Sequence, residues 1–358
     1  MKKRFTSFPV VPVPPPQGGH VGLIGCGNYA FSNIAYYLNK NYGPVIRASM
    51  DIDLHKAASL YKQYGLRYYT DDAQKIIDDP EIDLIYIASN HASHADYAIQ
   101  ALQAGKSVHI EKPHVVHSDQ LERLCAAAAS CPGKVNLGFN RPVSRMGKTI
   151  KQYLLQQHGS AMFNFNVVGH DIPPDHWYAN EEEGGRVFGN LCHWSDFILQ
   201  LVPPADRYPL TITPTRGKKS DCDIALTYTF GDETIAAITF SAKGYTFEGV
   251  RERFTAQKGD AIIALDDFKT LVVEVMDKKY KISPLFRDHG HEANVIRSYE
   301  LVRPKQGSQP DSCSPEYLWE TGNLFLKTRD ALESNQQIVI DGPREFARQD
   351  NAGQTGAA

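Results

Sequence analysis

Val21-Gly22-Leu23-Ile24-Gly25-Cys26-Gly27-Asn28-Tyr29-Ala30 is an apolar run that ends in two glycines one residue apart, with a small residue three places further on. The run reads as a strand buried on both faces. The Gly-x-Gly-x-x-Ala turn after it is the dinucleotide fingerprint with alanine in its last position. Gly25 allows the tight turn, Gly27 lets the backbone approach a pyrophosphate unobstructed, and Ala30 lets the next helix lie close on the strand. That helix is expected over residues 29–39, with Ala30, Ile34, Tyr37 and Leu38 near one face and its first amides, around Asn28 and Tyr29, aimed at the phosphates. Taken alone, the turn fits an ordinary strand-to-helix connection equally well.

The next apolar run, residues 45–50, ends at Asp51. A carboxylate there accepts hydrogen bonds from the adenosine ribose hydroxyls and repels a ribose phosphate. No arginine follows immediately, which favours NAD over NADP. Asp51 could instead cap the helix expected over residues 54–64, but Asp53 is better placed for that. The alternation continues with a short helix (72–79), a third inner strand (82–87) and a helix (92–104) closed by Gly105. A strand (107–110) then delivers Glu111-Lys112-Pro113. Alternating strands and helices imply a parallel doubly wound sheet with ligands beyond the strands' carboxyl ends. Gly25, Asp51, Asn90 and Lys112 all fall there, and a lysine at the end of a buried strand is a charge in a costly place.

Composition agrees. With 358 residues, 42% of them hydrophobic, the chain is long enough for two domains. A formal net charge of -3 shows no bias toward nucleic acid or acidic membranes. Cys26, Cys125, Cys131, Cys192, Cys222 and Cys313 are scattered without paired ligand spacing, so free thiols in a reducing cytoplasm and no bound metal are expected. Residues 1–17 start basic, but prolines break the stretch and exclude the apolar helix of a signal peptide; an extended lead-in is expected. No run is long enough to span a bilayer. Residues 18–137 form the expected NAD-binding domain, 138–343 a second domain, and 344–358 a frayed polar tail.

In the second half, residues 161–168, 210–214, 223–230, 234–241, 251–257, 261–265 and 270–276 are short, often alternating runs between turn residues, and read as an antiparallel sheet. Helices are expected near 292–302 and 315–334, the latter across the sheet or the domain boundary. No internal repeat is present. Gly184-Gly185 opens a second polar cluster that runs through Arg186, Gly189, Asn190 and His193 to Asp196. On a regular helix Gly189, His193 and Asp196 share one face, with Asn190 beside them.

The fingerprint, Ser89-Asn90-His91-Ala92-Ser93-His94, Glu111-Lys112-Pro113 and Gly138-Phe139-Asn140-Arg141 together resemble the glucose-fructose oxidoreductase, inositol dehydrogenase and rhizopine catabolism (Gfo/Idh/MocA) family over nearly the whole chain. The resemblance implies an α/β protein with an N-terminal Rossmann domain and a C-terminal α+β domain on a large, mostly antiparallel sheet. In the family that sheet's inner face shapes a sugar or cyclitol pocket and its outer face often dimerises, so a homo-oligomer, dimer or tetramer, is expected. Cofactor contacts are implied for Ser89, Asn90, His94, Glu111 and Asn140. The family carries an aspartate and, four residues on, a proton-transfer histidine. The histidine matches His193, whereas the aspartate position is Gly189; Asn190 stands next to it and cannot accept a proton.

Oxidising a secondary alcohol removes a hydroxyl proton while hydride leaves the same carbon. A histidine near its natural pKa can take that proton, and a fixed ammonium stabilises the alkoxide. His193 is therefore the expected base and Lys112 the electrostatic group, with Glu111 orienting Lys112 or lying near the nicotinamide ribose. Without the family, His193 reads more readily as a satisfied core residue than as a catalytic one. Substrate contacts are expected from Lys112, Asn190 and His193, and from His176, Trp177 and Tyr178 on a loop that is otherwise a proline-pinned surface segment. Arg141 and Arg186 suit a substrate carboxylate or phosphate; either could pair instead with Glu181, Glu182 or Glu183, a run that reads as a solvated turn. The expected activity is hydride transfer between NAD and a secondary hydroxyl of a sugar, a sugar derivative such as a nucleotide sugar, or a cyclitol. The alternatives are an NAD-recycling glycoside hydrolase and a non-catalytic NAD or sugar sensor.

Overall fold

The computed structural model describes residues 19–169, 172, 177, 180–216, 223–243, 249–307 and 311–346; His176, Tyr178, Cys222 and the 1–17 lead-in lie outside them, as does the tail from 347. Strands β1 (Val21–Ile24), β2 (Ile46–Met50), β3 (Tyr68–Thr70), β4 (Leu84–Ile87), β5 (Ser107–Ile110) and β6 (Val135–Leu137) form a six-stranded parallel sheet in the order β3-β2-β1-β4-β5-β6. β1, β4 and β5 are buried at every position, as apolar runs covered on both faces must be. The first connection opens with a π-helical turn (Ala30–Ile34) and continues as α1 (Ala35–Tyr42). Helices α2 (Leu54–Tyr64), α3 (Ala73–Ile77), α4 (His94–Gln103) and α5 (Ser118–Ser130) complete the crossovers.

α6 (Arg145–Leu155) leads into β7 (Ala161–Val168), and a second π-helical turn (Val187–Leu191) precedes α7 (Cys192–Leu201). β8 (Leu210–Arg216), β9 (Asp223–Thr229), β10 (Ile235–Ser241), β11 (Arg251–Lys258), β12 (Ala261–Asp266), β13 (Thr270–Val275), β14 (Lys278–Ile282) and β15 (Ile338–Ile340) join β7 in a nine-stranded sheet, ordered β14-β13-β12-β11-β7-β10-β9-β8-β15. Its pairs are antiparallel except β7 with β10. Strict alternation buries Phe163, Phe165, Phe254 and Ile263 against Trp194 and Phe197 of α7, and leaves Met162, Ile235 and Ile262 exposed on the other face. Each fully buried phenylalanine there contributes about 1.5–3 kcal/mol.

α8 (His291–Glu300) follows the large sheet in sequence yet covers the first one. Val295 and Tyr299 join the core of Val21, Leu23 and Leu84, and the Tyr86 hydroxyl donates to the Val295 carbonyl at 2.7 Å. α9 (Pro315–Ser334) packs against α5 as well as β8 and α7, and so spans both layers. No described helix is long and apolar enough to cross a membrane.

Several elements were not read from the sequence: β3, β6, β14, β15, α5 and α6. The three-residue strands are too short to carry a period, β14 is polar at most positions, and α5 is rich in alanine and so weakly amphipathic by eye.

Candidate active site

The glycine turn meets the carboxyl edge of the first sheet. Gly25 has φ +88°, and a Cβ there would come within 2.3 Å of the Ser89 amide nitrogen, whereas a Cβ on Gly27 would meet nothing within 4 Å. The space over Gly27 is therefore open, as a bound pyrophosphate requires. The Asp51 carboxylate accepts the Cys26 amide at 2.8 Å and the Asp53 amide at 2.9 Å, so it shapes the turn. Asn28 is exposed at the turn's outer edge. The Tyr29 hydroxyl is 3.1 Å from His291 Nδ1, and burial, with the Glu111 charge next, keeps that phenol protonated. These residues fit an NAD-type dinucleotide.

After β4, the Ser89 hydroxyl lies 2.7 Å from that of Ser93, and the buried His94 ring sits between the Pro113 carbonyl (2.7 Å from Nδ1) and the Ser89 carbonyl (3.1 Å from Nε2), donating to one of them when neutral. His94 thereby ties the β4 loop to the Lys112 loop. Asn90 donates to Glu183 Oε1 at 2.6 Å, and Glu183 also accepts from the Ala92 amide. Glu183 is 2% exposed, which corrects the reading of the three glutamates as a solvated turn: two are, but the third clamps the cofactor-side loop.

Lys112 Nζ donates to the Gly189 carbonyl at 2.8 Å. That bond joins the end of β5 to the π-helical turn one step before His193. Beside it, Glu111 Oε1 is 2.9 Å from His109 Nε2, and His109 Nδ1 is 2.7 Å from the Ser298 hydroxyl, which the Asn136 amide also contacts at 2.6 Å. Burial would push the Glu111 carboxyl up, but its bond to His109 and the His109 and Lys112 charges outweigh burial and hold it below the usual range. The carboxylate is thus ionised and held from behind.

His193 Nε2 lies 3.1 Å from Arg141 Nη1. A guanidinium only donates, so Nε2 carries the lone pair and the ring's hydrogen is on Nδ1. Nδ1 is buried with no hydrogen-bond partner. Arg141 also donates to the Asn140 side chain (3.0 Å) and to the fully buried Glu252 (2.6 Å), and Glu252 accepts from the Trp194 indole at 2.7 Å. Burial, then the charges of Arg141, Lys112, His291 and His289, force the His193 pKa well below the ordinary value. A histidine near its natural pKa was expected; the surroundings hold it neutral instead.

Residues 20–139 match the family described as "Oxidoreductase family, NAD-binding Rossmann fold" (GFO_IDH_MocA). The N-terminal part of the chain is thus similar to the Gfo/Idh/MocA oxidoreductases. An oxidoreductase of Bacillus subtilis, YrbE, is 25% identical over 339 residues, covering 91% of this chain and 98% of that one. An inositol 2-dehydrogenase of Ralstonia nicotianae is 28% identical over 137 residues, 37% of this chain and 40% of the relative, so the match spans less than half of that enzyme. The fold of this chain is shared with levoglucosan dehydrogenase in complex with NADH and levoglucosan, with TM-score 0.77, 16% identity, and coverage of 90% of this chain and 99% of that one.

Most residues expected at the site converge on the carboxyl edge of the first sheet, but several are committed inside the protein. Arg141 was expected to meet substrate or Glu181 to Glu183; it is bound to Glu252, which lies 111 positions away on β11. The Asn140 amide donates to the His289 carbonyl at 2.8 Å, and Asn190 accepts from Arg186 at 3.2 Å. Arg186 also stacks over Phe240. The π-helical turn breaks the regular spacing between Gly189 and His193, and Asp196, three residues after His193 on α7, sends its carboxylate to Tyr317 and Thr321 of α9. Trp177, 44% exposed, meets the His91 ring edge-on at 5.0 Å. Sequence reasoning missed Glu252, His289, His291 and His109. Glu252 had a signal, a charge in the inward phase of Phe254 and Ala256; His289-Gly290-His291 before a helix was another.

Proposed function

We propose that the chain transfers hydride between NAD and a secondary hydroxyl carbon of a sugar, a sugar derivative or a cyclitol, with Lys112 and His193 acting on the substrate oxygen. The bond from Lys112 Nζ to the Gly189 carbonyl carries this reading, because it brings the two chemical groups together at the ligand edge of the dinucleotide sheet. Asp51 without a following arginine favours NAD over NADP. The bound nicotinamide supplies the hydride acceptor or donor. Lys112 keeps further N–H bonds for the developing alkoxide, and the neutral His193 takes the hydroxyl proton at Nε2 as the substrate O–H displaces the Arg141 N–H. Arg141 remains anchored on Glu252 and Asn140. Half-exposed Trp177 offers an apolar face to a sugar ring. The relatives named inositol 2-dehydrogenase and levoglucosan dehydrogenase support the substrate class.

The test is turnover with NAD against a panel of sugars, uronates, nucleotide sugars and cyclitols, followed by nicotinamide absorbance. Stoichiometric NADH release is expected, which a cofactor-recycling hydrolase does not produce. Lys112→Ala and His193→Ala should each lower kcat by about 10²–10⁴ while still binding NAD. Parent-like turnover in both variants would overturn the assignment.

A further inference from the structure

A cavity of about 290 Å³ lies among α6, α7, α8 and the start of α9, and Lys112 does not line it. Phe139 lines it and also meets the His193 ring edge-on at 6.2 Å, so one aromatic wall separates the cavity from the candidate active site. Three basic side chains line it, Lys151, Arg207 and Arg297, and no carboxylate does. Arg207 is neutralised from behind by Glu320 and donates to the Val202 carbonyl at 3.0 Å. Among the described residues, Lys151 and Arg297 form no salt bridge; Arg297 donates to the Asp311 carbonyl at 3.2 Å. Two half-buried cations without counter-ions, beside a third, repel one another, and a bound anion lowers that repulsion. Ser314 caps α9 at the rim, so that helix's positive end adds to the field.

We propose that this cavity binds a phosphate-class oxyanion, as inorganic phosphate or as the phosphate of a small phosphomonoester, held by Lys151, Arg207 and Arg297. Arginines match phosphate oxygens in pairs, and Gln200 and Ser314 supply polar lining beside them. Burial, then the Arg207 and Arg297 charges, draw the Lys151 pKa down, and Asp196 opposes them only weakly. A bound dianion relieves that strain. The cavity also has a route toward the chemistry: Asn136 and Asn294 line it, and Asn136 donates to the Ser298 hydroxyl that contacts His109 behind Glu111.

The test is calorimetric titration of the full chain with inorganic phosphate, glucose 6-phosphate and uncharged glucose, with NAD in excess so that the glycine turn is filled. Parent protein is compared with Lys151→Met, Arg297→Gln and the double variant. One anion per chain is expected, with affinity falling roughly tenfold or more for each variant and NAD affinity unchanged. Binding of both anions points to free phosphate; binding of the ester alone points to a phosphorylated metabolite. As a measurement that needs no variant, the parent should melt higher in phosphate than in chloride at equal ionic strength. Absence of anion binding, or binding that the double variant leaves intact, would overturn the proposal. Failure of the NAD reading is seen separately, as absent NAD binding in the same titrations.

Discussion

Gly25 and Gly27 stand one residue apart in the same turn and meet opposite surroundings. Gly25 needs its positive φ and has the Ser89 amide where a Cβ would be, so Gly25→Ala should destabilise the fold by about 2 kcal/mol or more. Gly27 faces open space, so Gly27→Val should melt with the parent yet lose most NAD affinity. Paired thermal melts and NAD titrations check this, and a normal NAD affinity in Gly27→Val would remove the pyrophosphate from that turn. Both glycines were legible because the motif is local. The environment of His193 was not: its neutral state comes from burial and from Arg141, Lys112, His291 and His289, which arrive from three separate parts of the chain.

At the scale of elements, Asp51 and Asp53 divide two tasks that the sequence alone left adjacent. Asp53 caps α2, its carboxylate accepting the His55 amide at 3.0 Å, while Asp51 holds the glycine turn. Asp53→Ala should therefore cost about 1 kcal/mol in denaturant unfolding and leave NAD affinity unchanged. A large loss of NAD affinity in that variant would mean that Asp53 takes part in the ribose site. The π-helical turn before α7 is the element the periodicity misjudged. Its extra residue falls between Gly189 and His193, whereas His193, which meets Arg141, and Asp196, which meets α9, both lie on the regular α7. A helical wheel assumes one constant angle per residue, and the inserted residue breaks that assumption. Alternation served better on β11, where an inward Glu252 is the visible trace of a partner that cannot be named from the strand itself.

The whole molecule carries several histidines that fold neutral. Burial, first among the causes, lowers His114 and His291 to about 4 and His289 to about 3, and also lowers His91, His94 and His193. In the unfolded chain these rings take protons near pH ~6.5. Between that value and the folded ones the unfolded state binds more protons, so their contribution is intact above about pH 6.5 and is lost as pH falls toward about 4. Asp196 works in the other direction. Burial raises it to about 6, so the folded state binds its proton first and gains stability as pH falls below that. Several rings outnumber one carboxyl, and the melting temperature should drop steadily from about pH 7 to about pH 5. A flat or rising profile over that range would show that these rings are protonated in the folded protein.

By itself the sequence determined the class of fold, the dinucleotide turn and the acid after β2. Each of those rests on short-range spacing or on strand and helix alternation, which a chain displays before it folds. Only the tertiary structure decided that α8 crosses back to cover the first sheet, that Glu252 ties up Arg141, and that three cations gather around one cavity. Those contacts join residues far apart in sequence, and each is set by what the packing of two sheets leaves buried.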